Sequence, residues 1–137
     1  MSLLPLFTVE QIYYPALMVL MNQSYNAKQY LNPELSITSK LGKIPHKRNF
    51  WGIRLDIKTP DDLDSTTFPY TFAVSIYGRF QCDMPEPIEK ETYLKKRKLI
   101  YVNGSTMLYS AARDRLLLLT NASYCLPAYR FNPDDIR

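Results

Sequence analysis

The sequence predicts an α+β domain in which four β-strands precede a helical region. Apolar and polar residues alternate over three segments between residues 35 and 82, which is the period of half-buried strands. The connections between these segments are too short for a crossover helix, so we expect the strands to run antiparallel. From residue 84 onward, prolines and acids followed by a run of bases indicate a helix. The whole chain, residues 1–137, forms one domain.

The first predicted strand, from Phe7 to Met21, is apolar at both even and odd positions. Pro15 excludes a helix interior and predicts a bulge in the strand. A strand with two apolar faces is either central and covered on both sides, or it offers one face to a partner.

The next three strands each alternate more regularly. The second contains Leu35, Ile37 and Leu41, and the third contains Trp51, Ile53, Leu55 and Ile57. In the fourth strand the apolar side chains occupy even positions, which are Phe68, Tyr70, Phe72, Val74, Ile76, Phe80 and Cys82. The length of this run suggests a bend or bulge at Gly78.

Two helices are predicted after the strands. The first begins near Met84 and ends in Lys95–Lys98, and the second runs from Gly104 to Asn121 with Asn103 as its N-cap. One face of the second helix holds Leu108, Ala111, Ala112, Leu116, Leu118 and Leu119, while Leu117 falls on the polar face. Because its C-terminal half is apolar nearly all round, we expect a second subunit to cover it.

The composition excludes several kinds of site. A single His, four scattered Gly and two distant Cys leave no multi-histidine metal site, phosphate-binding loop or zinc motif. We therefore expect no metal, no cofactor and no enzyme activity. The N-terminus lacks the pattern of a signal peptide, and no apolar run approaches the length of a membrane span. These features predict a cytoplasmic protein with no membrane insertion and two free thiols.

The net charge of +4 leaves one alternative function open. The cluster Lys95-Lys96-Arg97-Lys98, with Arg113 and Arg115, could form a basic nucleic-acid-binding module, and its binding would then weaken steeply with salt. The same bases also suit a solvated helix end, since cations are favourable there. An oligomeric scaffold without a client is a further alternative.

Three segments, taken in order, resemble the SecB-type protein-export chaperones. They are Asn32-Pro33-Glu34-Leu35-Ser36-Ile37, the apolar run Phe72 to Phe80 with Gly78, and Asn103 to Tyr109 followed by Ala112-Arg113. The later Leu126-Pro127 and Phe131-Asn132-Pro133 are similar to the Pro-rich segment of that family.

The resemblance implies a four-stranded antiparallel Greek-key sheet with a long helix packed on one face. It also implies a homotetramer built as a dimer of dimers, and ATP-independent binding of unfolded polypeptides in apolar grooves. The stretches that match the SecA-docking acids of export members are Pro15–Leu20 and Ala73-Val74, and neither holds an acid. The basic charge and the missing C-terminal helix also depart from those members. The resemblance therefore implies client holding, in preprotein export or in a toxin–antitoxin module, more directly than handover to SecA.

Two sets of residues are the candidate sites. Aromatic and methionine side chains supply adaptable apolar area for a client groove, and the candidates are Tyr13, Tyr14, Leu17, Met18, Met21, Tyr25 and Trp51. Burial in the core or between subunits is the alternative for each of them. The candidates for the subunit interface are Phe72, Val74, Ile76, Leu108, Ala112, Leu116 and Leu117.

Overall fold

The structure, a computed structural model, describes residues 7–83 and 89–136. These residues form four strands and one long helix: β1 (Phe7–Met21), β2 (Ser36–Lys43), β3 (Phe50–Lys58), β4 (Tyr70–Cys82) and α1 (Lys90–Leu119). Two single-turn 3-10 helices, Ala27–Gln29 and Pro133–Asp135, lie in the connecting segments. The predicted α+β fold is confirmed.

The strands form one antiparallel sheet in the order β1-β4-β3-β2. β2, β3 and β4 form a meander. β1, the first strand in the chain, pairs with the edge of β4 that β3 leaves free. This is a Greek-key arrangement, as expected. β1 and β2 are the two edges of the sheet among the described residues.

β1 is an edge strand. Of its two predicted placements, the central position covered on both faces is therefore wrong. Most of its side chains are exposed, even where they are apolar. Its register against β4 shifts twice, between Val9 and Gln11 and between Tyr13 and Ala16. The second shift contains Pro15, which has no N–H to continue the ladder, and the predicted bulge is confirmed.

The bulge predicted at Gly78 does not form. β4 keeps an unbroken register with β3 through this glycine. A Cβ atom at Gly78 would come within 2.7 Å of Leu108 Cδ2 and of the Phe80 ring. Gly78 therefore allows the close approach of α1 to the sheet.

The core lies between α1 and one face of the sheet. β4 contributes the predicted even-numbered side chains, which are buried from Phe72 to Cys82. β3 contributes its odd-numbered side chains, and α1 contributes residues spaced by three or four along one face. The largest fully buried side chains are Trp51, Phe68, Phe72, Phe80, Ile53, Leu55, Ile57, Ile76, Ile100, Leu108, Leu116 and Leu126.

The helical region is a single helix, not two. Asn103 is an exposed residue inside α1, where it caps nothing, and the next residue, Gly104, faces the core. The predicted start of the first helix, Met84–Ile88, lies outside the described residues. An N-cap stabilises a helix less than the apolar surface that a continuous helix buries against the sheet.

The predicted apolar face of the helix is only partly correct. Leu108, Ala112 and Leu116 pack on the sheet, whereas Leu118 is 75% exposed and Leu119 is also exposed. Leu117, assigned to the polar face, is half-buried. In this last turn Leu116 is fully buried, whereas Leu118 and Leu119 lie on other sides of the helix and remain in solvent.

Gly104→Ala should destabilise the chain, although alanine is more favourable than glycine in a helix interior by about 1 kcal/mol. Its Cβ would overlap Cδ1 of Ile53, and forcing extra volume into a packed core costs about 1–3 kcal/mol. We expect a net loss in the free energy of unfolding, measured by urea titration. Gly42→Ala is the matched control, because a Cβ there meets nothing within 4 Å. Equal effects of the two substitutions would contradict this account of the helix–sheet contact.

Candidate functional site

The client-groove candidates on β1 do not share one surface. Tyr13 and Met18 pair with Tyr77 and Ala73, whose side chains lie on the sheet face that α1 leaves open. Leu17 pairs with Val74 and therefore lies on the helix side of the sheet. Because a strand directs successive side chains to opposite faces, the β1 candidates divide between the two faces.

Most of the β1 candidates are nevertheless exposed. Tyr13, Leu17, Met18 and Met21 are all exposed, and Met21 is 72% exposed. Tyr14 is half-buried on the helix side: its hydroxyl donates to the carbonyl oxygen of Ala111 at 3.2 Å, and the Arg115 guanidinium lies 4.8 Å from its ring centre. Tyr14 thus fastens β1 to the helix.

The other two client-groove candidates lie elsewhere. Tyr25 is half-buried in the turn after β1, where its N–H donates to the Asn22 carbonyl oxygen. Trp51 is only 2% exposed and its ring packs 6.1 Å from that of Tyr93. The assignment of Trp51 to a client groove is corrected: its place is the core of the chain.

Six of the seven subunit-interface candidates also belong to the core. The buried residues are Phe72, Val74, Ile76, Leu108, Ala112 and Leu116. They meet one another across the helix–sheet contact, so a second copy of the folded chain cannot reach them. This assignment is corrected as well. Only the half-buried Leu117 keeps accessible surface.

A groove that the sequence did not reveal runs beside the edge strand β2. We call it the edge groove. It consists of two cavities between the segment before and within β2 on one side and the chain after α1 on the other, and Tyr101 of the helix lines the second cavity. Its apolar and aromatic lining residues are Tyr30, Leu35, Ile37, Tyr101, Tyr124, Tyr129 and Phe131.

The first part of the edge groove is a cavity of about 460 Å³. It lies between Tyr30 and Leu35 on one wall and Tyr124 and Pro127 on the other. Tyr124 is held in place by Phe72, whose ring lies 5.6 Å away, and by an edge-on contact of 5.3 Å with Phe68. The wall of the cavity is therefore anchored directly in the core.

The second part is a cavity of about 470 Å³ beside the middle of β2. Tyr101 and Phe131 are buried at its base, and the exposed Tyr129 forms its outer wall. Their rings pack edge-on, with the Tyr129 and Phe131 centroids 4.8 Å apart. Tyr109 joins the cluster and donates its hydroxyl to the Pro127 carbonyl oxygen at 2.5 Å. These contacts hold the C-terminal segment against α1.

The turn that ends α1 starts the outer wall of the groove. Asn121 and Ala122 take left-handed backbone conformations, with φ of 54° and 63°. The Ala122 N–H donates to the Leu117 carbonyl oxygen, and the Thr120 hydroxyl donates to that of Leu116. The chain reverses here, which brings the residues after 122 alongside β2. The aromatic content of this tail is the signal from which the groove could have been inferred.

The basic cluster at residues 95–98 is partly neutralised. Lys95 lies 3.9 Å from Glu91, and Lys98 lies 3.1 Å from Asp134. Cations paired with carboxylates present a weaker field to phosphate groups, so the nucleic-acid alternative loses part of the surface on which it depended.

Neither a metal site nor a membrane span is visible in the parts of the chain that the structure describes. Residues 7–83 and 89–136 contain no group of three His, Cys, Asp or Glu residues that could hold a metal ion. None of their helices combines the length and the hydrophobicity needed to cross a bilayer. Cys82 and Cys125 are both free, and burial raises the pKa of the Cys82 thiol.

One of the solved structures that this chain resembles is informative here. It is the SecB-like chaperone Rv1957 of Mycobacterium tuberculosis, solved in complex with a ChAD peptide from the HigA1 antitoxin Rv1956. The two chains superpose with a TM-score of 0.59 over 92% of this chain and 88% of that one, at 15% identity.

This chain has the SecB-like fold. The resemblance seen in the three sequence segments is thereby confirmed at the level of fold. No protein-family model matches the sequence, and the search of curated proteins gave no match. The similarity therefore lies in the fold, at 15% sequence identity.

The packing of Tyr124 predicts a pH-dependent stability. Burial raises the pKa of Tyr124 from 10.0 to about 12, so the folded chain disfavours the phenolate. A group whose pKa is higher in the folded state stabilises that state below the unfolded pKa, and the contribution is lost as the pH rises from about 10 to about 12. In urea titrations, the free energy of unfolding of wild type should fall more steeply over this range than that of Tyr124→Phe. Parallel curves would show that Tyr124 is not buried as described.

Proposed function

We propose that this chain is an ATP-independent holdase that binds unfolded or non-native polypeptides. The observation that supports this proposal is the edge groove, two cavities with aromatic and polar walls beside a strand edge that no other described strand pairs. Flexible chains expose the apolar side chains that such a groove can remove from water. No nucleotide, metal or catalytic step is part of the proposal.

The structural neighbour supports one biological setting for the proposed holdase. A SecB-like chaperone of the same fold is bound to a peptide from an antitoxin, which supports a toxin–antitoxin module as the setting of this chain. Preprotein export is the second setting. SecA is left out of the proposal because the matching stretches, Pro15–Leu20 and Ala73-Val74, carry no acid. Two free thiols suit a reducing cytoplasm.

We further propose that the chain assembles as a homotetramer, a dimer of dimers. A long, apolar and exposed edge strand promotes association unless it is covered, and β1 fits that description over 15 residues. The last turn of α1 adds further apolar area. The exposed large hydrophobic residues of these two regions are Val9, Ile12, Tyr13, Leu17, Met18, Leu20, Met21, Leu118 and Leu119. On this proposal the exposed β1 candidates contact a second copy, and the edge groove contacts the client.

The holdase proposal is tested by the aggregation of reduced α-lactalbumin, followed by light scattering. Wild type should suppress scattering at a near-stoichiometric ratio of tetramer to client. Tyr30→Ser should weaken suppression several-fold, since it removes an aromatic wall of the edge groove. The matched control is Leu94→Ser, at a side chain of similar exposure (43% against 45%) outside the groove. An assembly that stays intact and suppresses nothing would be a scaffold and not a holdase.

The assembly proposal is tested by native mass spectrometry. Wild type should give a mass near four times 16.0 kDa. The double variant Leu20→Lys, Met21→Lys should shift the population to smaller species, because it places charge on the exposed edge of β1. Gln23→Lys, just beyond β1, is the control and should leave the mass unchanged. A wild-type monomer at micromolar concentration would refute the proposed tetramer.

A further inference from the structure

The face of the sheet opposite α1 carries aromatic and basic side chains, and we call it the open face. Cross-strand partners in a sheet point to the same face, so the register gives the neighbours of each side chain. One row across the four strands, from β1 to β2, consists of Tyr13, Tyr77, Arg54 and Lys40. The next row begins with Gln11 and Arg79. Two aromatic rings thus lie beside three cations on a surface that the helix does not cover.

The β2–β3 hairpin concentrates the positive charge of the chain. Residues 35–55 contain five Lys or Arg and no Asp or Glu, whereas the net charge of the whole chain is +4. The five basic residues, all of them exposed, are Lys40, Lys43, Lys47, Arg48 and Arg54. A group of bases with no acid among them gives one part of the surface a positive potential that attracts polyanions.

Two lysines of this hairpin are not neutralised by the protein. Lys40 and Lys47 form no ion pair with any carboxylate of residues 7–83 and 89–136. The basic cluster on α1 differs, because Lys95 and Lys98 each lie beside a carboxylate. Lysines that are free of carboxylates are the ones that neutralise phosphates and release the counterions condensed on a nucleic acid.

A cavity of about 500 Å³ joins the hairpin to the aromatic part of the open face. Its lining residues are Gln11, Tyr13, Ile44, Tyr77 and Arg79. The ring centres of Tyr13 and Tyr77 lie 5.1 Å apart. Tyr77 extends across Gly52 of β3, where a Cβ atom would overlap its ring and hydroxyl. The volume falls within the range of about 300–1,000 Å³ that is typical of ligand pockets.

The polar groups of the cavity suit the edge of a nucleobase. The side-chain amide of Gln11 carries both N–H donors and a carbonyl acceptor. Nε of Arg79 lies 3.3 Å from the Glu10 carboxylate, and the guanidinium has further N–H donors. Single-stranded bases are recognised by stacking on aromatic rings and by hydrogen bonds to their edges. The cavity supplies both kinds of group.

Phe50 adds a second aromatic surface at the base of the hairpin. It lies opposite Gln81 of β4 and precedes the buried Trp51, so it belongs to the open face. The Lys47 ammonium lies 5.2 Å from the centre of the Phe50 ring. An aromatic ring beside a cation provides a base with a stacking partner and the adjacent phosphate with a counter-charge.

We propose that the open face and the β2–β3 hairpin bind single-stranded nucleic acid. One base enters the cavity and stacks on Tyr77, another stacks on Phe50, and the phosphates contact Lys40, Lys47 and Arg54. A duplex does not fit this site, because its base faces are already stacked on one another. An acidic polypeptide supplies the negative charge but no planar rings for the cavity. The inference is independent of the holdase proposal, since both rings belong to inner strands and neither lines the edge groove.

The charge contacts are tested by fluorescence anisotropy with a labelled oligothymidylate of twelve residues. A plot of log Ka against log salt should have a slope of about −1.4 to −2.8, which corresponds to two to four phosphate contacts. Lys40→Gln, Lys47→Gln should reduce the magnitude of the slope by about 1.4. Lys95→Gln, Lys98→Gln removes the same charge from α1 and should leave the slope unchanged. Equal effects of the two double variants, or no binding at low salt, would overturn the proposed surface.

The base contacts are tested with an abasic oligonucleotide of the same length, which keeps every phosphate. Wild type should bind it about tenfold more weakly than oligothymidylate, because stacking is lost. Tyr77→Leu should narrow this difference, whereas Tyr77→Phe keeps the ring and should preserve it. Equal binding of the two oligonucleotides by wild type would overturn the base contacts. This comparison decides the question if Tyr77→Leu does not fold.

The class of partner is tested by competition. A polyglutamate peptide and a DNA duplex are each added at the same concentration of negative charge as the bound oligothymidylate. Neither should displace more than a small fraction of it, because neither presents unpaired bases to the cavity and to Phe50. Displacement of half the oligonucleotide by the peptide would show a surface for acidic proteins, and displacement by the duplex would show charge recognition alone. Either result would overturn the proposal.

Discussion

The packing of β4 against α1 is the contact on which the rest of the structure depends. β4 pairs with β1 on one side and β3 on the other, so the position of every other strand is set relative to it. Its buried side chains, such as Phe72 and Ile76, belong to the same core cluster as Leu108 and Leu116 of the helix. Each such side chain contributes about 1.5–3 kcal/mol when it leaves water. The close approach at Gly78 and Gly104 shows how tightly the two elements fit.

This single contact also explains what remains exposed. One helix covers one face of the sheet, which leaves the opposite face and both edges to solvent. The two edges then differ in kind. β1 has exposed apolar side chains on both faces. β2 has the C-terminal segment beside it, held by Tyr124 and Phe131.

Local patterns were sufficient for much of the fold. The alternation in β4 predicted which of its side chains share one face of the strand, and Pro15 predicted the bulge in β1. Local patterns were insufficient for the site. The sequence predicts Trp51 and Phe72 on surfaces because they are apolar, yet both lie in the core. The residues that line the edge groove come from distant parts of the chain. Tyr30 and Tyr124 become neighbours only after α1 has packed and the chain has reversed at Asn121.

The sequence by itself determined the strand periods, their antiparallel order and the scarcity of histidine, glycine and cysteine. Only the tertiary structure decided that β1 is an edge strand, that α1 is one continuous helix, and that a groove exists beside β2. The physical reason is that hydrophobicity records how favourable it is for a side chain to leave water. Hydrophobicity does not specify which atoms replace the water around a side chain. Those neighbours depend on how the helix and the strands pack, and these elements meet only in the folded chain.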